Sequence, residues 1–150
     1  MNRRTAQRGL TSVEFAVVGL LALIVLFSLI EIPRAFFTVN ALEEATRRGA
    51  RVAAVCQVSD AAIGQIASFT RSGGSLVGGL GPQHFAVQYL DRDGLAIDPT
   101  AEAAHYVRVS VQFPYRMLIP GFTPNFTMGP FTSTLPAESL GVWKNGVSPC

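Results

Sequence analysis

The uncharged run at residues 15–30, FAVVGLLALIVLFSLI, decides how this chain folds. It holds 16 residues, and extending it back to Leu10 gives 21 residues with one acidic side chain, Glu14. An α-helix needs about 20 apolar residues to cross the hydrocarbon core of a bilayer. The run is therefore long enough for a membrane-spanning helix, which we predict over residues 10–33.

The composition of the chain narrows the class of protein. Of its 150 residues, 49% are hydrophobic and 15% are charged, whereas a typical soluble domain carries about 25% charge. These values exclude a disordered tail, and the concentration of apolar residues near one end excludes a polytopic membrane protein. The net charge of +2 depends on Arg3, Arg4 and Arg8, because the chain without residues 1–9 has 9 basic and 10 acidic side chains. Nucleic-acid binding needs a basic surface on the folded part, so we expect no nucleic-acid partner.

The flanks of the run predict its orientation. Arginines next to a membrane helix stay on the cytoplasmic side, so the amino terminus is expected in the cytoplasm and the later residues outside. A cleaved secretory signal ends in a small-residue site, whereas Glu31, Pro33 and Arg34 follow this run. The simplest interpretation is an uncleaved signal anchor that carries an external domain.

Glu14 is the feature that a simple anchor leaves unexplained. A carboxylate at the centre of a membrane helix costs about 2.5–3.5 kcal/mol on insertion scales, and less near an end. No basic residue lies within residues 10–33, so the nearest cation would be a new amino terminus created by a cut after Gly9. The segment RGLTSVEF at residues 8–15 has that layout, with Glu in the fifth position after the cut.

This layout resembles the processing site of type IV prepilins and pseudopilins. The resemblance implies that a prepilin peptidase cuts after Gly9 on the cytoplasmic side, which leaves Leu10 as the first residue. It also implies that Glu14 pairs with the free amino group of a neighbouring subunit during assembly.

Two segments resemble one branch of that family. Residues 11–16, TSVEFA, and residues 41–55, ALEEATRRGARVAAV, are similar to the corresponding segments of TadE-like proteins, the pseudopilins of tight-adherence (Flp-type) pili. The resemblance implies a non-enzymatic component of the bacterial inner membrane, with its external domain in the periplasm or carried into a surface pilus. Its partners would be the prepilin peptidase, other pilins and pseudopilins, and the pilus assembly machinery.

Helical periodicity continues beyond the membrane, over residues 34–57. Apolar and small residues recur there at spacings of three and four, at Val39, Leu42, Ala45, Gly49, Val52 or Ala53, and Cys56. Favourable i,i+4 ion pairs are expected between Glu43 and Arg47 and between Glu44 and Arg48. Pro33 predicts a kink rather than a stop, because the periodicity resumes after it.

Residues 58–150 predict a small domain that packs on the external half of this helix. Ser59-Asp60 can cap a short helix, and a Gly-rich loop follows at residues 72–81. The period then changes to two, over residues 85–90, 107–113 and 126–135, with a turn at residues 91–94 and an edge strand indicated by Gly129-Pro130. The expected fold class is α+β, a long membrane-spanning helix followed by a small antiparallel sheet.

The polar residues of this domain suggest no chemistry. The two histidines, His84 and His105, have no Cys, Asp or Glu at metal-ligand spacing, so we expect no catalytic residue, no metal and no cofactor. An anchored hydrolase therefore has no residues to support it.

Cys56 and Cys150 are the two cysteines of the sequence. Both would lie outside the cytoplasm, where an even count favours one disulfide. Such a bond would tie Cys150 to the long helix. A buried Cys56 with a free thiol at residue 150, or a bond between subunits, are the alternatives.

Two functional hypotheses follow. The first is a pseudopilin with a leader at residues 1–9, a transmembrane helix at 10–33, an external helix extension at 34–57 and a periplasmic α+β domain at 58–150. The second is an unprocessed, signal-anchored periplasmic domain that binds or scaffolds other envelope proteins. Only the first predicts a mature chain that starts at Leu10.

Overall fold

The computed structural model describes residues 8–70, 73–100, 102–119, 124–144, 146–147 and 150. Most of the predicted leader, residues 1–7, lies outside the described residues. The helices are α1 (Arg8–Val55) and α2 (Ala61–Ala67), and a 3-10 turn covers Pro82–His84. The strands are β1 (Phe85–Leu90), β2 (Ala96–Ile97), β3 (Tyr106–Tyr115), β4 (Phe126–Pro136), β5 (Val142–Trp143) and β6 (Gly146–Val147). The predicted α+β class, with a long apolar helix before a small antiparallel sheet, is confirmed.

The chain divides into two compact units. The membrane unit is Met1–Phe36 with Arg116–Pro124, and the sheet unit is Phe37–Tyr115 with Asn125–Cys150. The predicted layout, with boundaries after residues 9, 33 and 57, stays a prediction.

In the sheet unit, one face of α1 forms a side of the hydrophobic core. Leu42, Ala45, Ala50 and Ala53 are fully buried there, in agreement with the predicted periodicity. Small side chains on this face let the sheet approach closely. A Cβ atom on Gly49 would lie 3.1 Å from a side-chain carbon of Val109 and 3.1 Å from that of Ala67.

The exposed side of this helix segment carries its charges. Arg47 pairs with Glu43 as predicted, at 3.5 Å. The predicted pair of Glu44 with Arg48 is wrong, since Glu44 contacts Arg47 at 3.5 Å and the Arg48 guanidinium lies 4.7 Å from the ring centre of Phe69. An aromatic face competes for an arginine that sequence spacing alone assigns to a carboxylate.

The sheet has the strand order β2-β1-β3-β4, with antiparallel neighbours. Along β3, Val107, Val109, Val111, Phe113 and Tyr115 are buried in strict alternation. This alternation is the pattern of a strand with one face on a core. The predicted strand over residues 107–113 is therefore confirmed, and β3 is the central element of the core.

The edge strand β4 contains the predicted interruption. The register with β3 shifts between Val111 and Phe113, opposite the segment that holds Gly129 and Pro130. Gly129 has φ +103°, and a Cβ atom there would come within 2.5 Å of the Val111 carbonyl oxygen. Only glycine fits both restraints.

The shortest strands are not indicated by the sequence pattern. Strand β2 pairs with the end of β1 after a turn in which Gly94 has φ +82°, and β5 pairs with β6 in a separate two-stranded sheet. The Gly-rich loop is packed against the rest of the sheet unit, because its side chains Val77 and Leu80 are buried.

Candidate functional site

The predicted processing segment lies near the amino-terminal end of α1. The described part of this helix runs from Arg8, so Gly9 and Leu10 lie within it. A cut after Gly9 would make Leu10 the first residue of the helix, where the first N–H groups have no partner within the helix and the aligned peptide dipoles add about half a positive charge. A carboxylate near that new end would be favourable.

Glu14 supplies a carboxylate near this end and is exposed. It lies four residues after Leu10, and residues at that spacing share one face of a helix. A cut after Gly9 would place a charged amine one turn from this carboxylate. The ion pairs of the described residues lie elsewhere, between Arg34 and Glu31 and between Arg47 and Glu43 or Glu44.

The helix surface after Glu14 is apolar on all sides and is not covered by the protein. Large hydrophobic side chains are more than half exposed along the whole run, namely Val17, Val18, Leu20, Leu21, Leu23, Ile24, Val25, Leu26, Leu29 and Ile30. A soluble protein rarely exposes so large a continuous apolar surface. The described residues contain one helix long and apolar enough to cross a membrane.

A polar cluster that the sequence pattern did not indicate lies at the carboxyl-terminal end of this run. The Glu31 carboxylate is buried, contacts the Arg34 guanidinium at 3.3 Å and accepts a hydrogen bond of 3.1 Å from the Leu118 backbone N–H. Arg34 also donates to the Arg116 carbonyl oxygen. The i,i+3 spacing of Glu31 and Arg34 could have indicated the ion pair, but nothing in the sequence indicates the partner 87 residues away.

The two cysteines meet in the sheet unit. Cys56, directly after α1, and Cys150 form a disulfide with a Cα–Cα distance of 5.7 Å. The Cys150 N–H donates to the Asp60 carboxylate at 2.8 Å, and the other oxygen of Asp60 accepts from the Ala62 N–H at 2.8 Å. Formation of this bond in the native membrane stays a prediction.

The two histidines lie in different surroundings. His84 Nδ1 accepts from the Gly81 N–H at 3.1 Å, and its ring meets Phe113 edge-on, whereas His105 is exposed. Within the described part of the chain, no group of three or more His, Cys, Asp and Glu side chains could hold a metal ion.

An open cleft of about 380 Å³ lies beside α2, lined by residues that include Asp60, Ile63, Pro82 and Phe85. Asp60 is the charged residue of its lining, and both of its carboxylate oxygens already accept backbone hydrogen bonds.

Within the described residues, the chain therefore has one helix apolar enough to anchor it in a membrane, and Gly9 and the Glu14 carboxylate lie near the start of that helix. A family model described as TadE-like protein matches residues 9–51. The match starts at the predicted processing Gly9 and runs through the helix segment that carries the small packing face. It confirms the resemblance to TadE-like proteins over this segment. No curated protein and no solved structure matches the chain.

Proposed function

We propose that this protein is a structural or assembly pseudopilin of a tight-adherence pilus, cut after Gly9 by a prepilin peptidase. The observation that carries the proposal is the exposed Glu14 carboxylate at the head of an apolar helix that the protein leaves uncovered. The family match over residues 9–51 supports it. In this proposal the amino terminus is cytoplasmic, the helix spans the inner membrane and the sheet unit is periplasmic.

The physical role of Glu14 follows from its position. A carboxylate near one end of a membrane helix raises the free energy of membrane insertion. A positive charge in contact with the carboxylate offsets this cost. A new amine at Leu10 supplies that charge, either on the same helix or on a neighbour whose register is shifted along the fibre axis. Pairing between neighbours would set this register, while the apolar surface of α1 supplies contact area without directional preference.

A structural role also agrees with the packing of the sheet unit. A fibre or assembly subunit needs a rigid external unit, and the sheet unit is closed by a disulfide and a buried apolar core. The TadE-like match favours such a role over catalysis.

The first test is the mass of the full chain isolated from its native membrane. Processing predicts a chain that begins at Leu10, and Gly9→Val should leave residues 1–9 attached. An intact chain in cells with an active prepilin peptidase would contradict processing and favour the signal-anchored scaffold.

The second test separates assembly from insertion. Glu14→Ala should insert as well as the unchanged protein and should still be cut, but it should no longer copurify with other pilins. Glu14→Asp keeps the charge on a shorter side chain and is the matched variant, expected to retain part of the assembly. Normal assembly of Glu14→Ala would contradict the pairing role.

A further inference from the structure

We propose that residues 116–119, called here the return segment, form a second contact with the phospholipid bilayer beside the external end of the α1 span. The ligand is the boundary between headgroups and acyl chains. The proposal rests on membrane anchoring by α1 and is independent of the pilus role.

The first argument is the level at which the return segment is held. The backbone N–H of Leu118 donates to Glu31 at 3.1 Å, and the Arg116 carbonyl accepts from Arg34. Glu31 is the first charged residue after the apolar run. Because the run fills the hydrocarbon core, the return segment is attached to α1 where that core ends.

The second argument is exposure. The Leu118 side chain is 58% exposed, although the hydrogen bond from its own backbone is partly buried. On the helix, Ile32, next to Glu31, is 56% exposed, and Phe36, about 7.5 Å from Glu31 along the axis, is 66% exposed. The backbone of the return segment is thus bound to the protein, while its apolar side chain is directed away from the protein core. This exposed surface continues the lipid-facing surface of the span.

The third argument is charge. Arg34 and Arg116 accompany one carboxylate, Glu31, so the cluster carries one excess positive charge. Arginines at the ends of membrane helices extend their charged groups to the headgroup region while their aliphatic stems lie along apolar surface. Lipid phosphates match this arrangement, with Leu118 inserted below them.

The experiment uses the full chain with Leu118→Cys, labelled with an environment-sensitive fluorophore while Cys56 and Cys150 stay oxidised. The protein is placed in nanodiscs of phosphatidylcholine and phosphatidylglycerol that contain nitroxide lipids. A label at residue 118 should be quenched at least twofold, and more strongly by a nitroxide at acyl carbon 5 than at carbon 12. Ile24→Cys, within the span, should show the reverse order. Leu95→Cys, an apolar site in the sheet unit that is 66% exposed, is the reference for adsorption of the label.

Each other outcome overturns the proposal. No quenching at residue 118 would show that the return segment stays in water, and equal quenching at residues 118 and 95 would show adsorption of the label. Quenching that disappears at one chain per nanodisc would assign this surface to a neighbouring subunit. In the background of Glu31→Ala the quenching at residue 118 should fall by at least half, because the carboxylate that holds Leu118 is gone. Unchanged quenching in that variant would remove the first argument, that Glu31 holds the return segment at the membrane boundary, and would overturn the proposal as stated.

Discussion

Replacing Cys150 by Ala should lower the free energy of unfolding of the sheet unit by about 4 kcal/mol. The disulfide joins residues separated by 94 positions, and in the chain-entropy model a closed loop of that size contributes up to about 4.7 kcal/mol, against about 2–5 kcal/mol measured for native disulfides. Cys56 is 1% exposed, so its replacement would also disturb the core. Substitution at the exposed Cys150 removes the bond and leaves the packing around Cys56 intact.

Hydrogen exchange of the full chain in detergent micelles measures this change. The slowest hydrogen exchange is expected at backbone amides of the central strand β3, at Val107, Val109 and Val111, whose side chains are fully buried. Each 1.4 kcal/mol corresponds to a factor of ten, so exchange in Cys150→Ala should be about a thousandfold faster than in the oxidised protein. Amides of the apolar run, which the micelle protects, should not change.

The matched control is the unchanged protein under reducing conditions. Its exchange should equal that of Cys150→Ala, and a reductant should have no further effect on the variant. If Cys150→Ala and the oxidised protein exchange within threefold of each other, the bond does not stabilise the sheet unit and the entropy argument is wrong.

Three further predictions concern the sheet unit. Gly49→Leu should destabilise it by about 1–3 kcal/mol by overpacking, because even a Cβ would lie 3.1 Å from Val109; denaturant unfolding measures this, and an unchanged midpoint would contradict the close packing. Asp60→Ala should cost about 1 kcal/mol through loss of the helix cap. Asp60→Asn keeps one oxygen for the Ala62 N–H and should cost less; equal losses in both variants would contradict the capping role. Burial raises the pKa of Tyr89 above its ordinary value of 10.0, so the folded state holds the phenolic proton more tightly and stability is retained below pH 10 but lost as the pH rises through the raised pKa. Tyr89→Phe should therefore lose less stability between neutral and alkaline pH, and identical pH profiles of unfolding would refute this assignment.

Local pattern accounts for the parts of the fold that the sequence predicted. Strand β1 was predicted at its observed bounds, Phe85–Leu90, and β3 and β4 within a few residues. Alternation of apolar and polar residues over five or more positions can be recognised from the sequence of that segment alone. Strands β2, β5 and β6 contain two residues each, too few to show a period, so their pairing depends on the turns that bring them together.

The residues of the candidate site also divide into those that the local sequence indicates and those that it does not. Gly9, Leu10 and Glu14 were chosen from their order along one segment, and the family match begins at Gly9. The cluster around Glu31 was missed because its carboxylate accepts a hydrogen bond from a backbone N–H in the connection between β3 and β4, 87 residues later in the sequence.

The sequence by itself determined that residues 10–33 form a helix long and apolar enough to cross a membrane, with a carboxylate near its start, because hydrophobic length and charge position are properties of a continuous segment. It also determined that an antiparallel sheet follows. Only the tertiary structure decided that Cys56 meets Cys150, that Arg48 lies on Phe69 rather than on Glu44, and that Leu118 is held at Glu31. Each of these contacts joins residues that are distant in sequence and that the folded backbone brings together. The sequence pattern is compatible with more than one partner for each residue, and the fold decides which partner is close enough. A buried carboxylate must find a donor, but the chain path decides which donor is within reach.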